Sequence, residues 1–408
     1  MDEQTLKYMP AMLTGFELDE ALKVKPDYDI SIRNASEANR LIALQDLYSL
    51  YIPTDMSREI YSKLYLSLLR SMNKKQSLTA IRQFSENQNH IKGKEFTSLI
   101  GGSDSYTILG DSGIGKSSTV SRVMDMISVQ RIIDLPNNMR IIPCIHVQTP
   151  ADCSIKGLLF EILRKVDEIL GTRYHYNAMR INATADMLIG SVSTVALNHI
   201  GLLVVDEIQN VVNSKNGTTI IGMLTQLINN AGISICMVGT PKSALFFGQE
   251  MMLARRSLGL SYGPFIYDDT FKRFCKELLR FQYVRETCQP EGTLLQWLYH
   301  HSGGNASVVV SLIHDAQEMA ILDGYDKLDI NSLEKAYENR LSLLHDFLYQ
   351  EPIQNKKSSK RANTLKAAQV TETGQSLISD VVLRAKKLQK DIVGELSLHG
   401  IQILEVAI

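Results

Sequence analysis

One stretch limits what this chain can fold into more than any other: Gly110-Asp111-Ser112-Gly113-Ile114-Gly115-Lys116-Ser117. It meets G-x-x-x-x-G-K-[ST], the phosphate-binding loop, at every fixed position. Glycines let a backbone wrap closely around phosphate oxygens, where a Cβ would intrude. The amides of Gly113 to Lys116 can then face the phosphates. Lys116 would reach the β- and γ-phosphates, and the Ser117 hydroxyl would hold Mg²⁺. The flanks suit the motif. Tyr106-Thr107-Ile108-Leu109 reads as a short buried strand, and Ser118 to Ser128 as a helix whose N-terminal dipole faces the phosphates. The expected nucleotide-binding set is Gly110, Asp111, Ser112, Gly113, Ile114, Gly115, Lys116, Ser117 and Ser118, with ATP as the nucleotide.

Further residues complete such a site. Gly201-Leu202-Leu203-Val204-Val205-Asp206-Glu207 is an apolar strand ending in two acids, about ninety residues beyond the loop. An Asp at such a strand end supports Mg²⁺, and the adjacent Glu can polarise the water that attacks the γ-phosphate. Thr240 ends the next apolar strand, in Val238-Gly239-Thr240-Pro241. There it either contacts the γ-phosphate or the lytic water, or caps the turn before Pro241. Arg255-Arg256 offers a guanidinium that could reach a neighbouring subunit's γ-phosphate. Sequence alone does not choose between the two arginines, nor between action in cis and in trans.

The chain has 408 residues, enough for two or three domains. Lys plus Arg is 43 and Asp plus Glu is 44, a net charge of −1 that argues against a whole-protein polycation. A local basic groove remains compatible with that balance. Lys156, Arg173, Arg180 and Lys215 follow the second strand and the Asp-Glu strand, and are the candidates for duplex DNA. In a ring or helical oligomer, a few such residues per subunit would repeat into many phosphate contacts. The five cysteines show no C-x-x-C spacing, so free thiols in a reducing cytoplasm are expected. Met1 to Gln4 has no basic n-region, so no signal peptide is expected. No apolar run reaches transmembrane length, and no membrane partner is expected. His146, His175 and His199 lack metal-ligand spacing and read as packing or surface residues. Trp297 reads as lid core.

Alternating strands and helices indicate an α/β core with a parallel sheet. Arg140 to Val147 is its second strand, with Pro143 placing it near an edge or bulge. Ile155 to Leu170 and Thr219 to Asn229 read as helices. The expected division is 1–33, an arm that could bury on a partner or on its own body; 34–94, an N-terminal helical region; and 95–270, the nucleotide-binding core. A helical lid over 271–350 and a basic linker with a helical tail over 351–408 follow. In the N-terminal region one helix runs from Asn34 until Pro53 stops it, and Asp55 or Ser57 caps the next. Ser77 to Glu86 suggests another short helix. Lid helices are expected at Phe271–Arg285, Thr293–His301, Ala306–Leu322 and Asn331–Tyr349.

Gly110–Ser117, Leu203-Val204-Val205-Asp206-Glu207-Ile208-Gln209, Met237-Val238-Gly239-Thr240-Pro241 and Leu253-Ala254-Arg255-Arg256 stand in the order and spacing of AAA+ ATPases. The Asp-Glu-Ile-Gln and Val-Gly-Thr-Pro details, with Ser302-Gly303-Gly304-Asn305 and Asp329-Ile330-Asn331 in the lid, resemble the TnsC/TniB group of transposition regulators. The likeness covers roughly residues 95 to 345. It implies an AAA+ P-loop NTPase core with a helical lid, in a bacterial, cytoplasmic, DNA-associated protein. Such a regulator binds ATP and Mg²⁺, forms a ring or filament on duplex DNA, and links a target selector to the transposase. The selector could be a protein or an RNA-guided complex. By that resemblance Lys116 and Ser117 bind nucleotide and Mg²⁺, Asp206 supports Mg²⁺, Glu207 activates water, and Thr240 is the strand-end sensor. Arg255 or Arg256 is then the trans finger. One departure stands out. Many AAA+ lids carry an arginine just after the Gly-Gly turn, whereas Asn305-Ala306-Ser307-Val308 has none.

Two other classes share the loop. A phosphotransferase would need an acceptor-site constellation, which the sequence does not display. A replication initiator or defence ATPase is the nearer alternative. Initiators commonly add a helix-turn-helix domain of about eighty residues after the lid, more than the remaining tail provides.

Overall fold

The computed structural model describes residues 7–76, 105–135, 139–150, 152, 154–211, 222–225, 227, 233–244 and 259–341. The 77–86 helix, most of 219–229, and the linker and tail over 351–408 lie outside these residues. So do Lys215, Arg255 and Arg256.

Six strands form one sheet: β1 (Ser105–Gly110), β2 (Ile133–Leu135), β3 (Met139–Gln148), β4 (Ile200–Asp206), β5 (Ser234–Gly239) and β6 (Leu260–Tyr262). Their order is β2-β3-β4-β5-β1-β6. Neighbours from β3 to β6 run parallel, whereas β2 pairs antiparallel with the start of β3. The expected parallel sheet is therefore mixed. A short hairpin return can only be antiparallel, and β2 reaches β3 across residues 136–138. Pro143 lies beyond the part of β3 that β2 pairs, where a missing N–H interrupts no outer ladder. Strand β5 stands between the phosphate-loop strand β1 and the Asp-Glu strand β4. The sheet has mostly parallel strands flanked by helices on both faces.

Alternation along β4 assigns its side chains to two cores. Leu202 and Val204 join one cluster, and Leu203 and Val205 join the other. All seven residues of β4 are buried, as expected of a strand covered on both faces.

The helices follow in chain order. Helix α1 (Gly15–Leu22) buries Leu18 and Leu22 in the first cluster, so the described part of the expected arm packs on its own body. Helix α2 (Glu37–Leu44) gives way to a tight turn, Gln45–Ser49, well before Pro53. Tyr51 instead bridges antiparallel to Val24. Helix α3 (Asp55–Lys75) is capped by Thr54, with Ser57 closing the capping box from the third helical position. Its residues Leu64 and Leu68 pack on the sheet, so this N-terminal helix covers one face of the core. Helix α4 (Lys116–Ile127) follows the phosphate loop and covers the same face.

The opposite face carries α5 (Ile155–Leu170), α6 (Tyr174–Arg180) and α7 (Ala185–His199). Four more helices form a third cluster: α8 (Asp269–Leu278), α9 (Gly292–Ser302), α10 (Ala306–Leu322) and α11 (Ile330–Ala336). Helix α8 stops seven residues short of the expected Arg285, because Gln282, Tyr283 and Val284 are buried in an extended stretch. Leu44 and Leu47 join this cluster, and Arg40 pins α2 to it through both oxygens of Asp326, at 2.5 and 2.9 Å. Trp297 packs against the cluster and stacks on His301 at 3.8 Å. Among the described residues, no helix is long and apolar enough to cross a membrane.

Candidate nucleotide-binding site

The loop after β1 turns on Gly113 and Gly115, with φ of 83° and 97°. A Cβ on Gly113 would stand 2.4 Å from Ser307 Oγ and 2.6 Å from Asn305 Oδ1, so the position excludes side chains by conformation and by space. Gly115 caps α4, whose first N–H groups have no intrahelical partner. The Lys116 ammonium folds back on the loop, donating to Gly110 O at 2.7 Å and Asp111 O at 2.6 Å. Burial holds its pKa below the ordinary lysine value, although Asp206, Asp111 and Glu207 pull the other way. A bound anion would offer this ammonium a better partner than two carbonyls.

The parallel register brings the other predicted residues alongside. Asp206 closes β4, and Thr240 follows β5. Together with Ser112, Gly113, Gly115, Lys116, Ser117, Ser118, Glu207, Gln209, Gly239 and Ser307, they line one cavity of about 220 Å³. Among the described residues lining it, Lys116 is the cation. Asp206 is buried, and burial works to raise its pKa. The neighbouring His146 imidazole, the Ser117 hydroxyl and the Glu207 N–H at 2.7 Å outweigh that effect, so the carboxyl lies below its ordinary value. A buried, ionised Asp beside a hydroxyl is a hard oxygen donor set and fits Mg²⁺. The Thr240 hydroxyl is buried with no hydrogen-bond partner among the described residues, an orphan that a ligand in the cavity could satisfy.

Several residues at the site were not singled out from sequence. His146 places Nε2 3.6 Å from Asp206 Oδ2, so it is no ordinary packing residue. Gln209 donates to the Glu207 carboxylate and accepts the Thr240 N–H at 3.2 Å. Where an arginine follows the Gly-Gly turn in many AAA+ lids, Asn305 donates Nδ2 to Ser112 O at 2.7 Å, and Ser307 N donates to Gly113 O at 2.9 Å. The start of α10 thus docks on the phosphate loop itself.

A second cavity, about 280 Å³, shares Gly113, Gly115, Ser118 and Ser307 with the first. Its other walls include Tyr51, Ile52, Met56, Ile114, Phe274 and Val310, an apolar set from the N-terminal segment, the loop and the lid. Tyr51 is fixed there by hydrogen bonds of 2.8 Å to Thr119 and to Ser57. Ser118 lies where the two cavities meet. Lys156, Arg173 and Arg180 are exposed, at the start of α5 and at the two ends of α6, and do not line the phosphate cavity.

Residues 101–257 match the family model described as "TniB: Bacterial TniB protein". No curated protein matches the chain. Similar solved structures include the Aeropyrum pernix ORC2 protein in ADPNP-ADP complexes, 16% identical, TM-score 0.46, covering 71% of this chain and 70% of that one. The Aeropyrum pernix ORC1 protein in complex with DNA is 13% identical with a TM-score of 0.42, and the match covers 65% of this chain and 64% of that one. Drosophila ORC bound to DNA is 13% identical, TM-score 0.42, covering 98% and 86%. The matched segment carries the phosphate loop and the Asp206-Glu207 strand end, so the core of this chain is similar to the TniB family over those residues.

Proposed function

We propose that the chain is an ATP-switched, DNA-binding regulator of transposition, which oligomerises on target DNA and couples a target selector to the transposase. The observation that carries the ATPase part is the meeting of Lys116, Ser117, Asp206, Glu207 and Thr240 around one cavity. The triphosphate lies along the loop, with Lys116 leaving its carbonyls for the β- and γ-phosphates. The adenine base enters the adjoining apolar cavity beside Tyr51, Ile52 and Met56. Ser117 and Asp206 would hold Mg²⁺, which when bound neutralises charge on the β- and γ-oxygens. Glu207 accepts a proton from the attacking water. The water oxygen bonds to the γ-phosphorus, the bond to the β–γ bridging oxygen breaks, and ADP and phosphate leave. Thr240 contacts the γ-phosphate or that water. Arg255 or Arg256, from a neighbouring subunit, offsets the transition-state charge.

The transposition part rests on the TniB family match. Duplex DNA is assigned to a groove formed by repeated subunits, with Lys156, Arg173, Arg180 and Lys215 as its phosphate contacts. The terminal extensions are assigned to the selector and the transposase. Imaging the protein with duplex DNA and ATP, ADP or a slowly hydrolysed analogue tests this reading. Rings or filaments on DNA with ATP or the analogue, lost with ADP, are expected. Monomers that ignore DNA under every nucleotide overturn it.

A further inference from the structure

Gln209 sits in the tight turn Ile208–Val211, directly after the two acids. Its carboxamide makes two bonds in opposite senses. Nε2 donates to Glu207 Oε2, and Oε1 accepts the backbone N–H of Thr240 at 3.2 Å. One planar amide therefore spans the ends of β4 and β5. The backbone around it is specialised. Glu207 has φ of 57°, a left-handed conformation that non-glycine residues rarely adopt. That conformation turns the Glu207 side chain in a direction an ordinary strand end would not. On the other side, a Cβ at Gly239 would stand 2.5 Å from Ile208 Cγ2 and 3.0 Å from Gln209 Oε1. Glycine there lets the turn press against β5, keeping the amide within reach of Thr240. Among the described residues the buried Thr240 hydroxyl has no hydrogen-bond partner, and Thr240 lines the same cavity.

We propose that Gln209 is a positioning residue that ties the Glu207 carboxylate to the γ-phosphate end of β5. It acts through Glu207 and does not touch the reacting atoms. Its donor fixes which carboxylate oxygen stays available to the attacking water. Its acceptor makes that orientation depend on where β5 ends, so a phosphate drawn onto Thr240 is felt at Glu207. The inference rests on reading the cavity as an ATPase site.

Gln209→Glu separates the two bonds. The substituted side chain keeps an acceptor for the Thr240 N–H but sets a second carboxylate against Glu207. With full-length protein, DNA and ATP, kcat is expected to fall at least about tenfold at pH 8 while ATP affinity stays within about threefold. Gln209→Leu, which removes both bonds, should lose kcat at least as far, again with ATP affinity within about threefold. A Gln209→Glu protein with wild-type kcat overturns the proposal, as does a loss confined to ATP affinity. A wild-type protein that binds ATP on DNA but never hydrolyses it overturns the ATPase reading as well. An active wild type with an indifferent Gln209→Glu overturns the positioning role alone.

Discussion

The phosphate cavity has two walls built on different principles. The sheet wall comes from the ends of β1, β4 and β5, and its polar groups are held ready. Asp206 is kept ionised in a buried place, and the buried Thr240 hydroxyl has no partner among the described residues. The lid wall comes from the start of α10, and its polar groups are already spent. Asn305 holds Ser112 O and the Ser307 hydroxyl, and Ser307 N is shared between Gly113 O and Asn305 Oδ1. Unsatisfied buried groups are costly, so they persist where a ligand completes them. Satisfied neutral groups hold shape. The sheet wall is thus suited to chemistry, and the lid wall to setting the loop's geometry without a charge of its own.

Substitutions on each wall should break or sharpen that contrast. Lys116→Ala has the largest expected effect. It removes the cavity's described cation, and ATP affinity measured by calorimetry should fall about 100-fold or more with the fold retained by circular dichroism. Glu207→Gln comes next. ATP binding should persist, turnover should fall about 100-fold, and DNA-bound assemblies should last longer. Loss of ATP binding in a folded Glu207→Gln protein would mean its role is misassigned. On the lid wall, Asn305→Ala removes a helix cap and a loop contact of ordinary, neutral strength. Nucleotide affinity and thermal stability should each change by only about 1 kcal/mol. A loss as large as that of Lys116→Ala would erase the distinction between the walls.

The smallest effect concerns what steadies the lid. Burial works to raise the Asp326 pKa, but Arg40 and Arg285 outweigh it, and the carboxyl lies below its ordinary value of 3.8. The unfolded chain therefore binds this proton more readily than the folded one. The pair's contribution is complete above the unfolded pKa and is lost as pH falls through the folded one. Thermal unfolding of Arg40→Leu should consequently show less loss of stability between pH 5 and roughly pH 3 than wild type. An identical pH response in both proteins would remove the pair from the account.

The contrast also marks what the sequence made legible. The phosphate loop and the Asp206-Glu207 strand end were readable because each is local. A loop of fixed spacing and an apolar run with terminal acids carry their geometry within a few residues. Gln209 was visible as part of that motif, but not its amide bridge, which depends on β5 lying beside β4 across 31 positions of sequence. His146 meets Asp206 only because β3 and β4 pair in register, and Asn305 meets the loop from almost two hundred residues away. Helix α7 went unassigned because Val192, Val195 and Ala196 are mixed with serines and threonines, without a clear polar face. Strands β2 and β6 are three residues each, too short for alternation to register. Beyond the early end of α2, Tyr51 bridges Val24, a contact between segments 27 residues apart that no local pattern announces.

The most direct test of the two-wall account is single-turnover ATP hydrolysis, with protein on duplex DNA in excess over ATP. Wild type, Glu207→Gln and Asn305→Ala would be compared at saturating binding, so that only the chemical step is read. The expected result is a loss of about 100-fold for Glu207→Gln and at most a few-fold for Asn305→Ala. An unchanged rate in Glu207→Gln, or a greater loss in Asn305→Ala, would contradict the assignment of chemistry to the sheet wall.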